Sequence, residues 1–155
     1  MQIERKIATM GLDLTPAPPP PQANFIPAVL AGDLLFVAGH IPRLPNGSLL
    51  HTGKVGRDVT IEQGYAAARQ AVLNCLASIK VAVGDLDKVK RVVKLLVMVK
   101  ADPEFDQHFL VANGASDLLV ELYGDQGRHA RSAVGMSGLP RRSPVEVEMV
   151  VQVGD

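Results

Sequence analysis

TIEQGYAAARQAVLNCLASIKVAVG, residues 60–84, leads within a few residues into KRVVKLLVMV, residues 90–99. The contrast between these two stretches decides the fold. In the first, Ile61, Tyr65, Ala68, Val72, Leu76, Ile79 and Val83 recur in steps of three and four. That spacing lays one apolar stripe along a helix. Thr60 and Gln63 have the capping-box spacing that starts a helix, and Gly84 suits the left-handed residue that ends one. Cys75 lies beside the stripe and reads as packing rather than as a nucleophile. The second stretch is dense in β-branched residues and predicts a strand with at least one buried face.

The same reading extends outward in both directions. Toward the C-terminus, Asp102 and Pro103 suit the N-cap and first position of a second helix. Phe105, Phe109, Ala112, Leu119 and Leu122 would form its apolar face, with Gly124 closing it. Residues 130–137 and 145–153 read as two more strands, paired as a closing hairpin. Toward the N-terminus, residues 25–38 read as a hairpin turning on Gly32 and Asp33. Residues 43–58 are rich in Pro, Asn, Gly and Asp and predict loops. Ile3, Ile7 and Met10 suggest a short helix, and the PAPPPP run at 16–21 an extended tether. Hairpin, helix, strand, helix and hairpin make an α+β domain, a mixed sheet with two helices on one face. The expected division is an arm over residues 1–23 and one domain over 24–155.

Composition narrows the function. The 155 residues hold 16 basic and 16 acidic side chains, no tryptophan and 4% aromatics. Nucleic-acid binding normally needs a basic excess and stacking platforms, so it is disfavoured. His40, His51, His108 and His129 are scattered without zinc-site spacing, and there is no phosphate-loop or nucleophile-elbow motif. No metal or organic cofactor is expected. One cysteine fits a reducing compartment, and MQIERKIATMG carries charge where a signal peptide needs an apolar core. The strongest apolar stretch, 92–99, is too short to span a bilayer. A cytoplasmic location without membrane contact is expected.

The informative chemistry lies in HARSAVGMSGLP, residues 129–140, and VEVE, residues 145–148. Strand alternation puts Arg131, Ala133, Gly135 and Ser137 on one face. A guanidinium among small neighbours has room for a ligand, and its planar fork matches a carboxylate. A salt bridge to Glu146 or Glu148 within the chain is an equal alternative. Glu146 and Glu148 share a face of the last strand, where acids most often meet solvent. In a closing hairpin, Glu146 would lie opposite Met136 or Ser137, about 16 Å along the strand from Arg131. If both act on one small ligand, they must come from neighbouring subunits.

These residues resemble the reactive intermediate deaminase (RidA-like, YjgF-like) family. GDLLFVAGHIP, residues 32–42, is similar to its early hairpin, and residues 129–140 with 145–148 to its C-terminal signature. The N-terminal arm, GKVG at 53–56 and NGASD at 113–117 resemble a longer subgroup that carries an endoribonuclease label. The resemblance implies a chorismate-mutase-like fold and a homotrimer with a central β-barrel and pockets between subunits. It implies hydrolysis of enamines and imines such as 2-aminoacrylate to 2-keto acids and ammonia. The family's carboxylate-gripping arginine falls on Arg131 and its water-positioning glutamate on Glu146. Its backbone-donating glycine falls on Gly39, and a pocket asparagine on Asn113. The family's pocket tyrosine, serine and glutamine fall on Phe25, Ala38 and His40. Those departures remove hydroxyls, so a non-catalytic carboxylate-binding protein is the alternative to the deaminase, and an endoribonuclease the third reading.

Overall fold

The computed structural model describes residues 1–14 and 23–155, so the proline run at 16–21 lies outside the described residues. Five strands form one sheet: β1 (Ala28–Ala31), β2 (Leu34–His40), β3 (Val89–Lys100), β4 (Ala130–Met136) and β5 (Val145–Val153). Their spatial order is β1-β2-β5-β3-β4. Helices α1 (Gln2–Thr9), α2 (Ile61–Val83) and α3 (His108–Tyr123) complete the α+β architecture.

The long helix begins where the sequence says it should. The Thr60 hydroxyl accepts from the Gln63 amide and the Gln63 side chain accepts from the Thr60 amide, at 3.1 and 3.0 Å. Gly84 ends the helix at φ 86°. Ala68, Val72, Leu76 and Ile79 are buried, and so is Cys75. Alone, α2 is long and apolar enough to cross a bilayer, more so than residues 92–99. Here most of it is buried against the sheet and α3. The helices approach so closely that a Cβ on Gly114 would overlap the Tyr65 carbonyl. The first hairpin also forms as expected, with Ala31 opposite Leu34 and Gly32 at φ 62° in the turn.

Two expectations are corrected. The last two strands do not form a hairpin. β4 pairs in parallel with β3, while β5 runs antiparallel between β2 and β3. β3 pairs along both edges, with β4 on one side and β5 on the other. The residues after Met136 therefore cross over β3 rather than turning back on β4. The second helix begins at His108, not at Asp102. Pro103 instead occupies the second position of a turn closed by the Phe105 amide on the Asp102 carbonyl, 3.0 Å. The Asp102 amide is already engaged by the Val55 carbonyl, 3.1 Å, and Phe105 packs over Gly56. With that start, Val111, Ala112, Ala115, Leu118, Leu119 and Leu122 face the core, and Phe109 is left 51% exposed.

Register fixes which face each strand residue occupies, because directly opposed residues point the same way. Leu95, Val97 and Val99 on β3, with Val145, Val147, Met149 and Val151 on β5, are buried beneath the helices. The opposite face carries Val29, Phe36, Leu96, Met98, Val134 and Val150, and among the described residues no helix covers it. Helix α1 docks on the body, with Ile3 and Ile7 in the core and the Ile3 amide donating to Asp87, 2.9 Å.

Candidate active site

Arg131 is opposite Leu95, so its side chain lies on the helix face, at the edge formed by β4. There it meets α3. Its Nη1 donates to Asn113 Oδ1, 3.0 Å, and to Ser116 Oγ, 2.9 Å. Nη2 has one long contact to the Phe109 carbonyl, 3.5 Å. No carboxylate ion-pairs with Arg131 among the described residues, so the intrachain salt bridge is absent. The protein thus holds one nitrogen with neutral acceptors. The edge formed by Nε and Nη2, which can grip a carboxylate with two parallel hydrogen bonds, is left nearly unengaged.

Ser116 in turn connects to His129, whose Nε2 lies 2.9 Å from its hydroxyl. His129 Nδ1 is 2.6 Å from the Gly127 carbonyl, which can only accept, so Nδ1 carries the hydrogen. In the neutral ring Nε2 then accepts from the Ser116 hydroxyl, and the serine oxygen accepts from Arg131. Burial favours the neutral imidazole by lowering its pKa, with the Arg131 charge adding in the same sense against the Gly127 carbonyl.

The second group of expected residues lies on the other face. Glu146 is opposite Met98, and its carboxylate covers Gly39 so closely that a Cβ there would overlap Oε1. Gly39 can take this position because the β2–β5 register shifts between Val37 and His40. Burial raises the Glu146 pKa, and the charge on Glu148 adds to that. Ala38 helps line an open cleft of about 490 Å³ on this face, with Phe36, Lys94, Leu96, Ser132 and Glu148. Arg131 and Glu146 do not line that cleft. His40 turns the opposite way, its Nδ1 2.6 Å from the Ala38 carbonyl and its Nε2 2.7 Å from Ser78 Oγ on α2. Both ring nitrogens are thereby occupied. Phe25 precedes β1 and is 52% exposed.

The expected residues therefore form two sets, Arg131 with Asn113 and Glu146 with Gly39 and Ala38. Within one chain the sets are on opposite faces of the sheet. Arg131 and Glu146 are two strands apart and three residues out of register along β3, so their Cα atoms are separated by about 14 Å. Ser116 and His129 had no role in the sequence reading. The signal was present, because Ser116 follows Asn113 by three residues and shares its helix face.

Comparison with known proteins agrees with this fold. The family described as "YjgF/chorismate mutase-like, putative endoribonuclease" matches residues 4–152. The chain belongs to this family. Protein TCP17 of Trypanosoma cruzi is 40% identical over 155 residues, spanning 99% of this chain and 96% of that protein. The crystal structure of protein Atu1372 from Agrobacterium tumefaciens is 40% identical, covers 98% of this chain and 92% of its own, and superposes with a TM-score of 0.89. The structure described as "a putative endoribonuclease" from Shewanella oneidensis is 33% identical, covers 99% and 100%, and has a TM-score of 0.93. The family match begins at residue 4, within α1.

Proposed function

We propose that this YjgF-family chain hydrolyses small enamines or imines of the 2-aminoacrylate type in a site shared between subunits of a homotrimer, without metal or cofactor. The observation that carries the reading is the Arg131 guanidinium. It is secured by neutral acceptors at Nη1, paired with no acid among the described residues, and engaged at Nη2 by one long contact to the Phe109 carbonyl. A substrate carboxylate binds the Nε–Nη2 edge and is oriented by it. The enamine CH2=C(NH2)COO⁻ takes a proton on carbon to become the imine. Water then adds to the imine carbon, and the carbinolamine collapses to the 2-keto acid with loss of ammonia. Glu146 of a neighbouring copy accepts the proton of the attacking water and returns it to the departing nitrogen, which leaves as ammonia. Its partly desolvated carboxylate is a stronger base than one in water. The substrate is reactive enough that the protein's tasks are orientation and proton transfer. A cytoplasmic location belongs with this reading.

Arg131→Ala should abolish release of keto acid in an assay that generates 2-aminoacrylate in situ, with sedimentation unchanged. Activity equal to the parent protein would refute the assignment. The alternative, a carboxylate-binding protein without turnover, draws on His40, Phe25 and Ala38. None of them presents a free hydroxyl or ring nitrogen to a reacting group. It predicts pyruvate binding that depends on Arg131, with no acceleration of 2-aminoacrylate hydrolysis. RNA cleavage fits poorly with the zero formal net charge.

A further inference from the structure

We propose that His129, acting through Ser116, is a positioning residue for the Arg131 guanidinium. A guanidinium on a long side chain at a sheet edge has several accessible rotamers, and a fork is useful only if its plane is fixed. Two contacts fix Nη1. Asn113 Oδ1 is an acceptor in either hydrogen arrangement. Ser116 is different, because a hydroxyl both donates and accepts and can rotate. Left alone, it could turn its hydrogen toward Arg131 and repel the cation.

His129 prevents this. Its Nδ1 is committed to the Gly127 carbonyl at 2.6 Å, so Nε2 presents a lone pair to Ser116 at 2.9 Å. The Ser116 hydrogen points to the imidazole and the oxygen's lone pairs point to Nη1. The Gly127 backbone lies so close to α3 that a Cβ on it would overlap the Leu119 carbonyl. The chain of donors runs in one direction, from guanidinium to hydroxyl to imidazole and from imidazole to the main chain. Its effect is to hold the Nε–Nη2 edge outward. The inference rests on the reading of Arg131 as the ligand-holding group only for its functional consequence, not for the orientation itself.

Two measurements separate these parts. The first is the Arg131 Nε–Hε signal in nuclear magnetic resonance spectra, assigned by its absence from Arg131→Lys and read without any ligand. The second is the dissociation constant for pyruvate. His129→Phe and Ser116→Ala should each move the Nε–Hε signal into the envelope of solvent-exposed arginines. Each should also weaken pyruvate binding about fivefold, the effect of one neutral hydrogen bond. The double variant should be no weaker than Ser116→Ala alone, because His129 acts through the serine. His129→Gln, whose amide oxygen can accept from Ser116 near the Nε2 position, should keep the signal and bind within about twofold of the parent. Melting temperatures identify any variant that fails to fold, and the glutamine variant then carries the comparison. An unmoved signal in His129→Phe would overturn the proposal. So would effects that multiply in the double variant, or a glutamine variant as impaired as phenylalanine. Pyruvate binding that ignores Arg131→Lys would instead overturn the proposed function, and the ligand-free signal would still decide the role of His129.

Discussion

Gly39 lacks a side chain where Glu146 fills the space one would occupy. The overlapping atoms belong to the flexible end of the glutamate, with its Cδ 3.0 Å and Cγ 3.2 Å from the position of a Cβ. An alanine there would not break the sheet, because the carboxylate can swing away. Gly39→Ala should therefore leave the melting temperature within about 2 °C of the parent. It should also reduce turnover about a hundredfold, the lower range for removing a positioned general base. A fall in stability with activity retained would show that Glu146 matters only as packing. At this scale the sequence was informative where chemistry is local. The Arg131 fork and its small neighbours could be read from alternation along one strand. Ser116 and His129 could not be given roles, because their connection depends on α3 lying over β4. That packing brings residues 13 positions apart within 2.9 Å.

At the scale of elements, the β2 bulge that carries Gly39 is tied to α2 by His40. The ring links the Ala38 carbonyl to Ser78, and burial lowers its pKa below the ordinary 6.5, with Arg43 adding to the shift and the Ala38 carbonyl opposing it. Because the folded value is depressed, the folded chain binds fewer protons than the unfolded chain below pH 6.5. The stabilisation is complete above the unfolded value and is lost as pH falls through the folded one. His129 shifts in the same direction and adds to the same acid sensitivity. Melting curves between pH 7.5 and pH 5 should fall less steeply for His40→Gln than for the parent, since glutamine can bond Ser78 without titrating. Parallel slopes would contradict the assignment. The elements also show the limits of periodicity. Thr60, Gln63 and Gly84 state their own helix ends. Alternation in 130–137 and 145–153 marks strands but not their partners, because pairing is long-range and β3 inserts between them. Asp102-Pro103 suits a helix start and a turn equally, and contacts with Val55 and Gly56 select the turn.

At the scale of the whole molecule, one face of the sheet is covered and, among the described residues, the other is not. Phe36 is 47% exposed and Val29 50%, and the two are directly opposed on neighbouring strands. An apolar sheet face of this kind usually marks an association surface. It also carries Glu146, while the Arg131 side chain lies on the helix side of β4. If copies of the chain meet there, each site can take its arginine from one copy and its glutamate from the next. Mixing distinguishes this arrangement from a site within one chain. Arg131→Ala and Glu146→Gln should each be inactive alone. Subunits of the two variants, unfolded together in equal amounts and refolded, should regain about a quarter of parental activity, because random assembly in a cyclic oligomer pairs the two intact residues at about one site in four. Sedimentation would verify that mixed oligomers had formed. If they form and remain inactive, the arginine and glutamate do not meet across an interface, and the shared-site mechanism fails even though the fold and the nearly unengaged guanidinium edge stand.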